Sequence, residues 1–464
     1  MNTQTTNKND KQVNKKDKRI YMMSQEKPVK AVLGMGLPLI AGMMVMSVYN
    51  LVDTFFISLL HNDYQLAAVN LAYPIMMVII AISNMIGTGA ASLIARSLGA
   101  EEKEKARHTL TVGMGLTLLF SLILTGTGLL FLGKIVTALG ARENTFLYTE
   151  QYVSIVLIGS ICVMGSYIGG QLLRSEGSVK YSMTGMILGT IANIILDPIF
   201  IFLFGMEVRG AAIATVLGNA AGTLLSLYYY ISGKTLLRPA VRYIRPTGEI
   251  LKEIFLVGVP SMLETLLTSV AFVVNNNLAV AYGELTVTAM GISQKIISFG
   301  SYIYQGFAAG NQPLMGFNYG AGNHKRMLAI LKAGVLVVSG IELCAMAIFG
   351  IFAPVLIGIF SKTPEVVAIG TKVMRANMCI LPFVGSVSMT RSTFQAMGKA
   401  GYSFGITVVR QMILYVPLLL LLNKTFGFGG MIWAQPITEC IMMVASVTLL
   451  TVILNKLQNQ KKVS

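Results

Sequence analysis

Apolar residues fill long stretches of this chain, and polar residues collect between them. Runs of roughly 20 apolar residues, the length a helix needs to cross a bilayer core, are centred near residues 45, 78, 119, 160, 193, 221, 267, 300, 340, 380, 413 and 441. The pattern predicts an all-α polytopic membrane protein with twelve transmembrane helices. An even number of crossings returns the chain to its starting side, so both termini are expected together.

Charge then selects that side. The N-terminal segment carries Lys8, Lys11, Lys15, Lys16, Lys18, Arg19, Lys27 and Lys30, and the C-terminal one Lys456, Lys461 and Lys462. The loops after the second, sixth and eighth spans add Lys103, Lys105 and Arg107, then Lys234, Arg238, Arg242 and Arg245, then Lys325 and Arg326. The alternate loops, "HND" at 61–63, "GMEVRG" at 205–210 and "YGEL" at 282–285, are poorer in cations. By the positive-inside rule, both termini are expected in the cytoplasm and the protein in the plasma or inner membrane.

Composition supports the membrane class. Of 464 residues, 54% are hydrophobic and only 12% charged, against about 25% charged in soluble domains. The net charge of +16 follows the loop topology and suits anionic lipid headgroups; no nucleic-acid motif accompanies it. The first 30 residues lack the apolar core of a secretory signal. Cys162, Cys344, Cys379 and Cys440 fall in apolar segments without metal-ligand spacing and read as small buried hydrophobes.

The chain is written twice. On shifting by about 221 residues, "GLPLI" (36–40) meets "GVPSM" (258–262) and "GAASLIARSLGAEEKEKARHTL" (89–110) meets "GNQPLMGFNYGAGNHKRMLAIL" (310–331). "LLRSEGSVKYS" (172–182) meets "TFQAMGKAGYS" (393–403), and "RGAAIATVLGN" (209–219) meets "GGMIWAQPITE" (429–439). The reading is a basic tail at 1–30, an N-lobe of helices 1–6 at 31–232, a linker at 233–249, a C-lobe of helices 7–12 at 250–455 and a tail at 456–464. Six helices per copy give both copies one orientation, with a pseudo-two-fold axis along the membrane normal. Rocking of such lobes about a central cleft is a common transport design.

Two aspartates sit in the apolar spans of the first half, Asp53 in "YNLVDTFFIS" and Asp197 in "IANIILDPIFIF". Each costs roughly 2.5–3.5 kcal/mol at a helix centre on insertion scales, so such acids must face protein, water or ions. Asn193 and Asp197, four residues apart, share a helix face. Pro198 removes a helical hydrogen bond, and Thr215 early in the sixth helix adds a hydroxyl. Together these are oxygen ligands for a proton or a small cation such as Na⁺. Pro38 gives the first helix a place to bend ahead of Asp53. The competing reading, structural pairing with arginine, finds only Arg96 and Arg174 near helix ends. In the second half, Glu264, Lys295, Arg375, Arg410 and Glu439 include both signs and read equally as structural pairs or as cleft contacts, with Asn50, Asn275 and Gln435 as further candidates for the cleft.

As an ordered set, "YNLVDTFFI", "SLGA", "NIILDPIFIF", "RGAAIAT" and "PLMGFNYGAGN" resemble the multidrug and toxic compound extrusion (MATE) transporters, in their DinF-like bacterial and archaeal branch. The resemblance runs from Pro38 to about residue 450. It implies twelve helices in two six-helix lobes, and export of cationic amphipathic compounds against a proton or sodium gradient. It further implies that Asp53 is the first-helix acid whose protonation bends that helix. Asn193, Asp197 and Thr215 would form the N-lobe cation or proton site, with Tyr152 close by. Glu264, so near Pro260, does not match the seventh-helix acid of the NorM-like branch.

The sequence thus points to a secondary multidrug antiporter, expected as a monomer in contact with membrane lipids, with no cofactor beyond the coupling ion and no nucleic-acid partner. The alternative is a lipid-linked sugar flippase of the same superfamily, which would want a basic cavity for a pyrophosphate; the first lobe places acids in its spans instead. An enzyme is not expected: there is no HExxH motif, no phosphate-cradling P-loop, and only three histidines, His61, His108 and His324, all assigned to loops.

Overall fold

A computed structural model describes residues 18–60 and 62–463, excluding the side chains of residues 49–51, 53–55, 58, 63 and 454–463. Asn50 and Asp53 therefore lie on a described helix but carry side chains outside the described set, and His61 lies outside it altogether. Residues 18–24 are helical (α1). The first half continues with α2 (Pro28–Ser58), α3 (Asp63–Gly99), α4 (Lys103–Leu130), α5 (Leu132–Ala138), α6 (Glu143–Ile158), α7 (Ser160–Ser175), α8 (Val179–Pro198) and α9 (Glu207–Ile231). The second half comprises α10 (Gly248–Val280), α11 (Glu284–Gly320), α12 (His324–Ile351), α13 (Ala353–Phe360), α14 (Pro364–Met378), α15 (Leu381–Ala396), α16 (Ala400–Val408) and α17 (Val416–Val463).

These helices make a multi-pass membrane protein of twelve spans in two six-helix lobes. Among the described residues, eight helical segments are individually long and apolar enough to cross a bilayer, and the bent pairs α6–α7 and α14–α15 bring the number to 10. The segment Ala400–Ile453 turns at Gly427, whose φ of 61° divides it into two arms. The 37-residue α11 completes the set.

Two spans expected as single helices are broken. The run centred near 160 bends by 52° between α6 and α7, and the run near 380 bends by 44° between α14 and α15. Gly159 sits at the first break, where a Cβ would collide with Val216. Pro382, in the first turn of α15, follows the second; it has no N–H to donate back to the preceding helix, which suits a helix start at that point. The breaks occupy equivalent places in the two halves. The left-handed backbone positions recur in the same way: Glu101 pairs with Gly322, Gly177 with Gly398 and Gly205 with Gly427, each at the same interval to within one residue. The duplication read in sequence is therefore also one of backbone conformation, although the π-stretches that follow α8 (Ile199–Leu203) and α16 (Val409–Tyr415) do not share that interval.

One end of the bundle gathers α1 and the loops after α3, α7, α9, α11 and α15, and there the lobes are sealed together. Gly89 of α3 lies against the Ile254 carbonyl and Gly258 of α10 against that of Met85, so closely that any Cβ would collide. Ser92 Oγ donates to the Gln395 carbonyl (2.5 Å). Arg96 reaches Glu253 (3.0 Å), and Lys105 reaches Glu249 (2.7 Å) and Glu253 (3.2 Å). The helix α1 bridges the same junction. Its Arg19 donates to Ser178 Oγ (2.7 Å), to the Tyr229 hydroxyl and to the Lys234 carbonyl (2.8 Å). From the other lobe, Asn318 donates to the Met23 carbonyl (2.8 Å) and Arg326 to that of Glu26 (2.6 Å). The first half of α2 is shared as well: Ala31, Val32, Met35 and Leu39 bury in one core with Phe307 and Met327.

Two expectations change. Cys344, Cys379 and Cys440 are exposed and Cys162 only partly covered, because the outer helix faces of a membrane protein are themselves apolar. His108 lies within α4, with its ring against Tyr243, and His324 is the first residue of α12.

Candidate functional site

The N-lobe constellation is assembled where α8 and α9 approach closely. Gly189 and Gly218 bring the two backbones together, and a Cβ at Gly218 would fall 2.9 Å from Asn193 Cβ. Asn193 therefore faces α9 at Gly218, and Thr215 lies three residues earlier, on the same face of α9. On α8, Asn193 Nδ2 donates to Asp197 Oδ1 across one turn at 3.5 Å. All three residues are buried, Asp197 completely. Among the described residues, Asn193 Oδ1 and Thr215 Oγ1 have no hydrogen-bond partner. A buried amide oxygen and hydroxyl beside a carboxylate form an all-oxygen donor set, which suits a hard cation or a proton.

Proline shapes this site differently from the simple expectation. The α-helix runs intact to Pro198, and the disturbance follows it as a π-turn, in which the Phe204 N–H donates to the Ile199 carbonyl. That turn packs on Gly210 of α9. Tyr152 of α6 is buried in the core that also holds Ile201 of the turn and Ala211 and Ala212 of α9. The structure thus gathers Asn193, Asp197, Thr215 and Pro198, with Tyr152 in the adjoining core; α2 runs unbroken through Pro38.

Two C-lobe acids expected from the sequence, Glu264 and Glu439, are paired. Glu264 of α10 forms an ion pair with Arg391 of α15. Arg410, in the π-stretch, donates to Glu439 Oε1 through Nη2 (2.6 Å) and Nε (2.8 Å), and Gln435 donates to the same oxygen (2.8 Å). Beside them Gln411 donates to Thr268 (3.1 Å), and a small enclosed space is lined by Glu264, Arg391 and Arg410. Asn275, half-buried on α10, and Lys295, exposed on α11, do not join this network, and Arg375 donates instead to the Gly350 carbonyl (3.1 Å). Sequence reasoning missed Arg391, the partner of Glu264, although "MTRSTF" places an arginine in an apolar span. It also missed Glu342 in "GIELCAM", which the insertion cost of an acid would have flagged.

Between the lobes runs a polar layer. Asn84 donates to Thr265 across the junction (3.2 Å), Gln171 donates to Asn84 (3.1 Å), Thr88 to Gln171 (3.0 Å), and Gln395 to Ser261 (3.1 Å). Contrary to the expectation that the chain has no GxSxG motif, one occurs at Gly401–Gly405, inside α16. It makes no strand-to-helix turn, so it is no nucleophile elbow.

Comparison with known proteins places this geometry. The MatE family model matches residues 38–199 and 260–421, one copy in each lobe. The multidrug export protein MepA of Staphylococcus saprophyticus is 29% identical over 446 residues, covering 96% of this chain and 98% of its own length. A multidrug resistance MATE family transporter solved in an outward-facing conformation superposes with a TM-score of 0.90 at 28% identity, covering 94% of this chain and 98% of its own. A MOP superfamily transporter from Pyrococcus furiosus, whose binding pocket is described as having reversed polarity suggesting a different function, superposes with a TM-score of 0.89 at 28% identity, over 95% of this chain and 98% of its own.

Proposed function

The chain belongs to the MatE family of transporters, and from that premise we propose that it is a secondary antiporter that exports cationic amphipathic compounds in exchange for H⁺ or Na⁺. The observation that carries this reading is the buried oxygen cluster of Asn193, Asp197 and Thr215 between α8 and α9. A fully buried carboxyl beside an unsatisfied amide oxygen and hydroxyl is costly to keep. Its use is to take up and release the coupling ion.

The cycle follows from the lobes. With the basic end in the cytoplasm, the sealed junction of α3, α10 and α1 closes the cleft to the cell interior, leaving the cleft to open outward. Loading of Asp197 with the coupling ion and binding of drug favour different cleft states, so each expels the other. Asp53 on α2, placed beyond Pro38, senses its own protonation and moves the first helix. One charge crossing about 100 mV supplies about 2.3 kcal/mol, enough for roughly a fortyfold gradient of a neutral partner; one-for-one exchange with a monovalent cation moves no net charge and draws on the concentration gradient of the ion instead. The flippase reading loses ground because Arg391 and Arg410 are neutralised by Glu264 and Glu439, so neither offers a free cation to a pyrophosphate.

The test is expression in a drug-sensitive bacterial host. Cells carrying the chain should accumulate less ethidium than controls, and an ionophore that collapses the coupling gradient should abolish the difference. Equal accumulation with and without the chain, at verified membrane abundance, contradicts the reading.

A further inference from the structure

One membrane-embedded acid is used neither by the N-lobe cluster nor by the C-lobe ion pairs. Glu342 of α12 is completely buried, and among the described residues neither of its carboxyl oxygens has a hydrogen-bond partner. The acids nearby are neutralised, Glu264 by Arg391 and Glu439 by Arg410, so the network has no cation to spare for a fifth member.

Among the described residues, the groups around Glu342 supply no counter-charge either. Tyr304 of α11 is close enough to feel its charge, but it is neutral. On α15, Arg391 is held by Glu264. On α14, Arg375 bonds the Gly350 carbonyl and Lys372 is exposed. On α2, Lys30 pairs with Glu26 at the basic end, and α13 contributes no titratable side chain. On α12 itself, Lys332 and Cys344 are exposed. An ionised carboxylate in such surroundings costs far more than the neutral acid, so in this conformation the carboxyl holds its proton.

The space beside it is fitted to the carboxyl and adjoins a hinge. Gly385 of α15 faces Glu342, and a Cβ there would collide with Oε2. Gly385 lies in the first turns of α15, just past the break at residues 379–380 where α14 and α15 bend by 44°. Ser339, three residues before Glu342 on the same face of α12, donates to the Pro382 carbonyl at that break (3.4 Å). The acid therefore sits at the N-terminal end of a half-helix, where the backbone dipole favours negative charge once the proton has gone.

We propose that Glu342 is a second proton-binding site of this transporter, in the C-lobe, protonated in the conformation described and discharged when the α14–α15 hinge opens. On release the carboxyl O–H bond breaks, the proton leaves on water admitted at the break, and the carboxylate stays against the start of α15. The inference rests on the antiport reading above. It adds a proton per cycle to the coupling ion carried by the N-lobe, and a second proton where that ion is H⁺.

Infrared difference spectroscopy on the purified transporter in lipid tests it, with ethidium as the probe because that cation has no proton of its own to lose. Wild type should lose two protonated-carboxyl bands on adding ethidium, one absent from Asp197→Asn and the other absent from Glu342→Gln. Protons released to a pH dye should fall in each single variant and vanish in the double one. A Glu342→Gln spectrum that superposes on wild type, or a Glu342 band that ethidium leaves unchanged, overturns the proposal; an Asp197 band that still responds leaves the antiport reading standing. If ethidium binds and neither band moves, the proposal falls together with proton coupling at Asp197, and Na⁺-coupled antiport is left standing. Should Glu342→Gln fail to accumulate, Gly385→Ala, which presses a methyl group on Oε2, should shift the Glu342 band, and an unshifted band overturns the proposal equally.

Discussion

Arg410 and Glu439 are joined through one carboxyl oxygen, Oε1, which accepts from Nη2 at 2.6 Å and from Nε at 2.8 Å, while Glu439 is completely buried. Removing one partner of such a pair leaves an uncompensated charge, which costs about 3–5 kcal/mol; replacing both with apolar residues of similar volume is far milder. Arg410→Met should therefore lower the unfolding temperature in detergent sharply, and Arg410→Met combined with Glu439→Leu should recover most of the loss. Equal destabilisation by the single and double variants would show that the pair is not the stabilising unit.

Arg19 ties α1 to the N-lobe through Ser178, Tyr229 and the Lys234 carbonyl, while the Met23 and Glu26 carbonyls accept from the C-lobe. A segment held by both lobes resists their separation at that end. Arg19→Ala should widen the distance between spin labels placed on the loops after α3 and α11, and should raise ethidium accumulation in cells. Unchanged distances would reduce α1 to a surface feature.

Glu176, in the turn between α7 and α8, is fully buried and accepts from Thr235 (2.8 Å), the Leu236 N–H (2.7 Å) and Tyr229 (3.2 Å). Burial pushes its carboxyl up from 4.5 to about 7, against the opposing pull of those hydrogen bonds and of Arg19. A folded-state value above the unfolded one means that the unfolded chain gives up this proton first. The stability due to Glu176 is then fully present below about pH 4.5 and is lost as pH rises towards 7. Glu176→Gln should flatten the fall in unfolding temperature across that window. An identical pH profile in the variant would contradict the assignment.

The sequence made some of this legible and hid the rest for identifiable reasons. Asn193 and Asp197 were found because a four-residue spacing fixes a shared helix face whatever the tertiary structure. The repeat was found because its landmarks are backbone requirements, as at Gly177 and Gly398. The breaks at Gly159 and before Pro382 were missed because hydropathy alone cannot distinguish a bent span from a straight one. The pairing of Glu264 with Arg391 joins α10 to α15, a contact no local spacing encodes. Glu342 was visible as an acid in an apolar run, but its isolation emerges only when every neighbouring helix is in place.

The central claim is that Asp197 couples an ion gradient to drug movement. Transport of ethidium in proteoliposomes, with proton and sodium gradients imposed separately, tests it most directly. At least one gradient should drive ethidium movement by the wild-type protein, and Asp197→Asn, reconstituted to the same amount and still binding ethidium, should show none. Gradient-driven transport by Asp197→Asn at the wild-type rate would contradict the account, as would a wild-type protein that neither gradient can drive.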